Sequence, residues 1–164
     1  MLPLAATEQH GPHLPLETDV MIGQAYLSRV RELLPDTIPA TFLPLQPVGI
    51  STEHIGYPGT LTLPTEVALK TWMALGESVA RAGIRKLVMV TSHGGNSAAM
   101  TLVAQDLRAQ HGLLAVTAVI TSLYPGGTIL LARIRPGERL GAVRLAGLAL
   151  AGASVALIAV AGAG

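Results

Sequence analysis

The chain contains no cysteine. That excludes disulfides, thiolate zinc sites and cysteine nucleophiles, and leaves histidine and the carboxylates as its strong metal ligands. Aromatic residues make up only 3% of the chain and the net charge is +1, so neither a base-stacking surface nor a basic nucleic-acid surface is expected. Charged residues are sparse, 13% against 50% apolar, which is not the composition of a disordered chain. No basic stretch followed by an apolar core and a cleavage site precedes the first polar motif, and a cytoplasmic protein is therefore the expectation. Also missing are a G-x-S-x-G nucleophile elbow, a Walker lysine motif and a G-x-G-x-x-G dinucleotide fingerprint.

What is present is an alternation of strand-like and helix-like segments within 164 residues, a length suited to one compact domain. Residues 2–5 read as a short buried strand. Apolar residues recur at helical spacing over 19–34, with Thr18 as the expected N-cap. Pro35 and Pro39 punctuate the exit, residues 40–43 read as a second strand, and the Pro/Gly-rich stretch 44–59 reads as a long ordered loop of the kind that often carries function. A second helix opens near Pro64 and stops at Gly83. Its Trp72 and Met73 are expected core or subunit-interface residues. KLVMVTS over 86–92 supplies a β-branched strand, followed by HGGN, a third helix over 96–110 and a strand over 113–119. This order predicts an α/β domain, layered, with a largely parallel sheet flanked by helices. Sites in such sheets gather beyond the C-terminal strand ends.

Chemistry concentrates in three places. EQHGPHLPLETD places Glu8, His10, His13, Glu17 and Asp19 just after the first strand. In an extended segment Glu8 and His10 share a side, and Asp19 at a helix mouth is favoured by the exposed N–H groups and can bridge two ions with its two oxygens. The middle loop GISTEHIGYPGT carries Ser51, Glu53, His54, Tyr57 and Thr60, with Glu53 and His54 as candidate general acid, base or substrate anchor, or as a local pair that merely fixes the loop. His93 follows the 86–92 strand at the start of the glycines. Glu8, His10, Asp19 and His93 together form a donor set for zinc, manganese or a mixed pair. The competing reading makes them turn residues bonded within their own loops. His13 and Glu17 are expected in supporting or surface positions, Gln9 and Thr18 as residues that could orient ligands or substrate, Asn96 as a helix cap that could also support His93 or bind substrate, and His111 as an ordinary C-terminal helix residue.

The last third differs in character. All five histidines and nine of the ten acidic residues lie at or before His111, and residues 145–164 carry no charge and are dominated by Ala and Gly. A membrane span, a buried helix or helix pair, and a poorly specified, non-native tail remain open readings. Domain organisation is accordingly read as an α/β unit over 1–120 and an atypical tail over 121–164.

Taken together, LPLAATEQHGPHLPLETD, GISTEHIGYPGT and VTSHGGN resemble the creatininase family of metal-dependent amidohydrolases, over about residues 2–118. The resemblance implies a creatininase-like α/β fold and a centre of two divalent ions, zinc or manganese, with iron(II) as a further option. Glu8, His10, Asp19 and His93 match its metal-binding positions, with Asp19 as the bridge. It implies hydrolysis of a C–N amide bond in a small cyclic amide, a formamide or a peptide-derived substrate through a metal-activated water. It also implies a bacterial or archaeal origin and a homo-oligomer, commonly hexameric; composition argues against a nucleic-acid partner, and the weak hydrophobicity of the tail argues against a membrane role. Two departures stand out. Creatininase proper carries a glutamate ligand two residues after the histidine, where this chain has Gly95; HGGN instead occurs in relatives associated with formamidopyrimidine deformylation or mycofactocin precursor processing. A downstream block resembling D-x-H-A-G-x-x-E-T-S is not found after His111. The alternative expectation is therefore a truncated or non-catalytic relative with a metal-binding or scaffold role.

Overall fold

The computed structural model describes residues 1–119, and the readings made for the tail lie outside the described residues. The element order is β1 (Leu2–Leu4), α1 (Thr18–Leu33), a 3-10 turn at Thr52–His54, α2 (Thr65–Arg81), β2 (Lys86–Thr91), a second 3-10 turn at Gly94–Asn96, α3 (Ser97–His111) and β3 (Leu114–Val119). The three strands form a parallel sheet in the order β1-β2-β3. The helical periodicity and the two β-branched runs therefore produced the expected layered α/β architecture. No helix among the described residues is long and apolar enough to cross a membrane.

Three expectations are corrected. Residues 40–43 form no strand. The segment instead lies beside β1 with three backbone bonds: Leu43 N–H to the Met1 carbonyl, Gln46 N–H to the Pro3 carbonyl, and Ala5 N–H to the Gln46 carbonyl. Pro3 has no N–H to return, and Pro39, Pro44 and Pro47 remove further donors, so a continuous ladder cannot propagate. Thr18 is not the cap of α1; it is the first helical residue, and its hydroxyl donates backwards to the Pro15 carbonyl at 2.6 Å. Asn96 occupies the position before α3 but makes no side-chain cap bond.

The core lies between the sheet and the α2–α3 pair. Leu2, Leu4, Leu87, Met89 and Ala115 from the strands meet Ala68, Trp72 and Val79 of α2 and Met100, Val103 and Leu107 of α3. Trp72 is thus a core residue, with Met73 partly buried against it. Burying each large side chain contributes about 1.5–3 kcal/mol before the entropy of ordering is counted. Gly112 ends α3 in the left-handed conformation at φ +58°, which a residue without Cβ adopts freely.

Sheet register aligns the strand ends that carry the polar motifs. Leu4 pairs with Thr91, and Ser92 N–H donates to the Leu4 carbonyl at 3.1 Å. Both chains then leave the sheet at the same edge. Asn96 joins them there: its Nδ2 donates to the Ala5 carbonyl at 3.0 Å and to Thr91 Oγ1 at 3.2 Å, while its Oδ1 accepts from Ile50 N–H at 2.9 Å. The side chain is fully buried. Gly49 leaves room for it, because a Cβ at that position would collide with the Asn96 amide and the Ala5 carbonyl.

Replacing Asn96 by Ala leaves the Ile50 N–H and the Ala5 carbonyl buried without partners, at about 1–3 kcal/mol each. Urea unfolding of Asn96→Ala is expected to show a loss of about 2–4 kcal/mol. A loss below about 0.5 kcal/mol, the size of an ordinary surface change, would remove this joint from the account of the fold.

Candidate metal centre

The three segments held by Asn96 each deliver polar side chains within a few residues. Beyond β1, Glu8 is fixed by a bond from its N–H to the Leu16 carbonyl at 2.9 Å, which closes the loop across residues 9–15. Gly11, at φ +79°, makes the turn within that loop. The closure returns the chain to α1 so that Asp19, in its first turn, comes back beside Glu8 and His10. Ser92 secures the helix mouth by donating from its hydroxyl to the Asp19 carbonyl at 2.7 Å. Past β2, His93 is anchored by Thr91, whose Oγ1 accepts from the His93 N–H at 3.0 Å.

The structure brings Glu8, His10, Asp19 and His93 together. His10 Nε2 lies 3.3 Å from Asp19 Oδ1 and 3.8 Å from Glu8 Oε1; His93 Nδ1 lies 3.1 Å from Asp19 Oδ2 and 3.4 Å from Glu8 Oε1. Glu8, Asp19 and His93 are each about 5% exposed or less. Two groups of donors have metal-holding spacing: Glu8, His10 and Asp19, and Glu8, Glu53 and His93. Glu8 belongs to both.

Hydrogen bonds to backbone carbonyls determine where the imidazole lone pairs point. A carbonyl only accepts, so the 3.0 Å contact of His10 Nδ1 with the Glu8 carbonyl places a proton on Nδ1. With that proton on Nδ1, His10 turns its Nε2 toward the two carboxylates. His93 does the same with the opposite nitrogen: Nε2–H donates to the Ile50 carbonyl at 2.7 Å, and Nδ1 faces Glu8 and Asp19. Two imidazole nitrogens and two buried carboxylates thus converge. Burying a carboxylate costs several kcal/mol unless an opposite charge offsets it. Asp19 Oδ2 is buried with no hydrogen-bond donor, and it gains one from His93 only while that ring holds a second proton. The donor set, the orphaned oxygen and the carbonyl-anchored imidazoles all fit a divalent cation.

Burial pushes the His93 imidazole down, but the Asp19 carboxylate, the Glu8 charge and the Ile50 carbonyl outweigh burial, so its pKa lies above the ordinary histidine value.

The middle loop supplies the remaining groups. Ser51 is fully buried and its hydroxyl donates to Glu8 Oε2 in a short hydrogen bond, leaving Oε1 to face the imidazoles. Glu53, about half exposed, places Oε1 3.9 Å from His93 Nε2. His54 Nε2 lies 3.8 Å from Glu8 Oε1 and Tyr57 packs edge-on to its ring. A Cβ at Gly95 would collide with the Ile50 carbonyl and His93 Nε2 and would approach Glu53 Oε1 to 3.2 Å. A glutamate at that position cannot be added to this backbone without displacing the loop. His13 and Glu17 are exposed, outside both ligand groups, and His111 faces Glu77 at 3.5 Å on the helix surface. The sequence placed Ser51 in the site-lining loop and Asn96 near His93, but not the bond from Ser51 to Glu8 or the three-way joint made by Asn96.

Buried carboxylates and imidazoles converging beyond the strand ends of a parallel α/β sheet form a donor set suited to a divalent ion. The family model for creatininase, creatinine amidohydrolase, matches residues 1–144, and the chain belongs to the creatininase family. It is 38% identical over 116 residues to a mycofactocin precursor peptide peptidase of Mycobacterium tuberculosis, covering 67% of this chain and 46% of that protein. It is 32% identical over 102 residues to a creatinine amidohydrolase of Pseudomonas putida, covering 59% and 38%. The chain therefore spans about half the length of the curated relatives it matches, or less. Among solved structures, a creatinine amidohydrolase (creatininase) superposes with a TM-score of 0.58 at 27% identity, over 85% of this chain and 58% of that one. Creatininases described as Zn-Zn type and as Mn superpose with the same TM-score at 25% identity.

If His93 ligates the metal, uptake competes with the proton that its raised pKa favours. Apparent zinc affinity is therefore expected to rise by up to about tenfold per pH unit until the raised His93 value is passed. Stability of the metal-free protein runs the other way: the raised pKa makes the His93 contribution complete below the ordinary value of 6.5, and it is lost as pH climbs through the raised value. Zinc titration followed by calorimetry checks the first trend and chelator-treated urea melts the second. A zinc affinity independent of pH across that window would exclude His93 as a ligand.

Proposed function

We propose that this site hydrolyses a C–N amide bond with the aid of two divalent ions, and that the amide belongs to a peptide-derived substrate. The observation that carries the reading is the convergence of His10 Nε2 and His93 Nδ1 on the Glu8 and Asp19 carboxylates. Asp19 offers one oxygen to each histidine, which suits a bridging ligand. Glu8, His10, Asp19 and His93 are the proposed metal ligands. Zinc or manganese is the proposed metal, in line with the metals named for the creatininases that share the fold. When bound, such ions acidify water and polarise a carbonyl oxygen.

The chain's own residues do the rest. Ser51 holds Glu8 so that one carboxylate oxygen remains directed at the ion position. The Glu8 and Ile50 carbonyls keep each histidine in the tautomer that leaves a lone pair inward. Glu53 and His54, on the exposed loop at the rim, are the proposed catalytic groups that reach substrate. A peptide-derived amide is favoured over creatinine because identity is higher to the mycofactocin precursor peptidase, 38% against 32%, and because Gly95 stands where creatininase proper has a glutamate. Assembly as a homo-oligomer and a cytoplasmic location belong to the same proposal.

A second reading, metal binding without turnover, is favoured by the sequence after His111, which has no histidine and only Glu138 as a carboxylate. The departing nitrogen needs a proton donor. Elemental analysis of reconstituted Glu8→Ala, His10→Ala and Asp19→Ala is expected to show metal falling from about two ions to fewer than one. Hydrolysis is checked on a panel of peptide amides, formamides and creatinine, with peptide amides cleaved and the variants at least about a hundredfold slower. Undiminished metal in all three variants rejects the site; full metal with no cleavage of any amide selects the second reading.

A further inference from the structure

His54 can serve a hydrolytic site in several ways, and its neighbours reduce them to one. Gln9 places its side-chain Nε2 3.1 Å from His54 Nδ1, across the gap between the opening loop and the middle loop. The orientation of the Gln9 amide is determined by a second bond, because the backbone N–H of Gly11 donates to Gln9 Oε1 at 3.0 Å. A backbone N–H is always a donor, so the atom it meets must be the amide oxygen and the atom facing His54 must be the NH2 group. The NH2 group has no lone pair to offer. His54 Nδ1 is therefore the acceptor, and in the neutral ring the proton sits on Nε2.

The rest of the local structure keeps the pair aligned. Gln9 N–H donates to Thr60 Oγ1 at 3.2 Å, and Leu61 N–H donates to the Thr7 carbonyl at 2.9 Å, so the two loops are tied on either side of the Gln9–His54 contact. Tyr57 borders the ring, with centroids 6.2 Å apart and planes at 63°. The free end of the imidazole, Nε2, looks back toward Glu8 Oε1 at 3.8 Å, beside the converging ligands.

We propose that Gln9 is a positioning residue that keeps His54 Nδ1 an acceptor, so that an Nε2–H, not a lone pair, is what His54 presents to the substrate. The inference rests on the amidohydrolase reading for the identity of the substrate group. Backbone carbonyls hold the outward N–H groups of His10 and His93, so their inward nitrogens are the ones that can release or lack a proton; His54 turns an N–H inward because an amide NH2 holds its other nitrogen. The same ring chemistry is set to opposite purposes by the partner at the far nitrogen. An N–H donor at the rim of the ion site suits the carbonyl oxygen of the scissile amide, where negative charge grows as water adds. It does not suit metal ligation or proton abstraction, both of which require a bare Nε2.

The test reads the tautomer directly in the full chain, metal-stripped and zinc-loaded, by long-range proton–nitrogen correlation spectra of nitrogen-labelled protein. His54 signals are assigned by their disappearance in His54→Asn. The expected wild-type pattern has a protonated Nε2 and a bare Nδ1 in both forms. Gln9→Glu keeps an acceptor for Gly11 N–H but offers a carboxylate oxygen to Nδ1, and is expected to move the proton from Nε2 to Nδ1. Zinc stoichiometry in His54→Asn is expected to equal that of the wild type. A bare Nε2 in the wild type, an unmoved proton in Gln9→Glu, or loss of zinc in His54→Asn would each overturn the proposal. Failure of the amidohydrolase reading has a different signature: wild-type protein that takes up no zinc while His54 still carries its proton on Nε2.

Discussion

The buried amide of Asn96 joins three segments that are far apart in sequence: the end of β1 through the Ala5 carbonyl, the end of β2 through Thr91, and the middle loop through Ile50 N–H. Every proposed ligand or catalytic group except Asp19 follows one of those attachment points within a few residues. Glu8 and His10 follow Ala5, His93 follows Thr91, and Ser51, Glu53 and His54 follow Ile50. An asparagine suits the position because one side chain both donates and accepts. Aspartate lacks the donor, and an apolar residue would leave buried backbone groups unpaired at about 1–3 kcal/mol each.

Around that joint the protein concentrates negative charge where burial makes it costly. Two carboxylates lie at a water-poor strand edge, with two imidazoles whose inward nitrogens are bare when neutral. Positive charge at the centre of such a cluster, as a proton on His93 or as a divalent ion, offsets the cost of burying the carboxylates. The upward shift of His93 and the donor-less Asp19 oxygen are two expressions of one electrostatic imbalance. The imbalance is the basis for assigning metal chemistry to these residues in a family known for amide hydrolysis.

Legibility from sequence followed the range of the forces involved. Helices α1, α2 and α3 and strand β2 were readable because periodicity and turn residues are local. Residues 40–43 misled, since an apolar run resembles a strand while the missing N–H groups of Pro3, Pro39, Pro44 and Pro47 act only when strands are brought together. Thr18 and Asn96 misled in a related way. Both residue types cap helices well, but Thr18 finds the Pro15 carbonyl and Asn96 finds three distant partners. The candidate ligands were legible because carboxylates and histidines beyond strand ends are unusual; Ser51 and Gln9 could be named from sequence but not given a partner, because each acts through another side chain.

By itself the sequence determined the α/β class, the alternation of elements and the residue types available for chemistry, since a chain without cysteine and with its histidines confined to the first two thirds has few metal donors to offer. Only the tertiary structure decided how each histidine is used. A ring nitrogen becomes a ligand or a donor according to the group that meets the other nitrogen. For His10 that group is the Glu8 carbonyl, for His93 the Ile50 carbonyl, and for His54 the Gln9 amide. For His93 and His54, separated from those partners by more than forty residues, no local pattern could specify the contact.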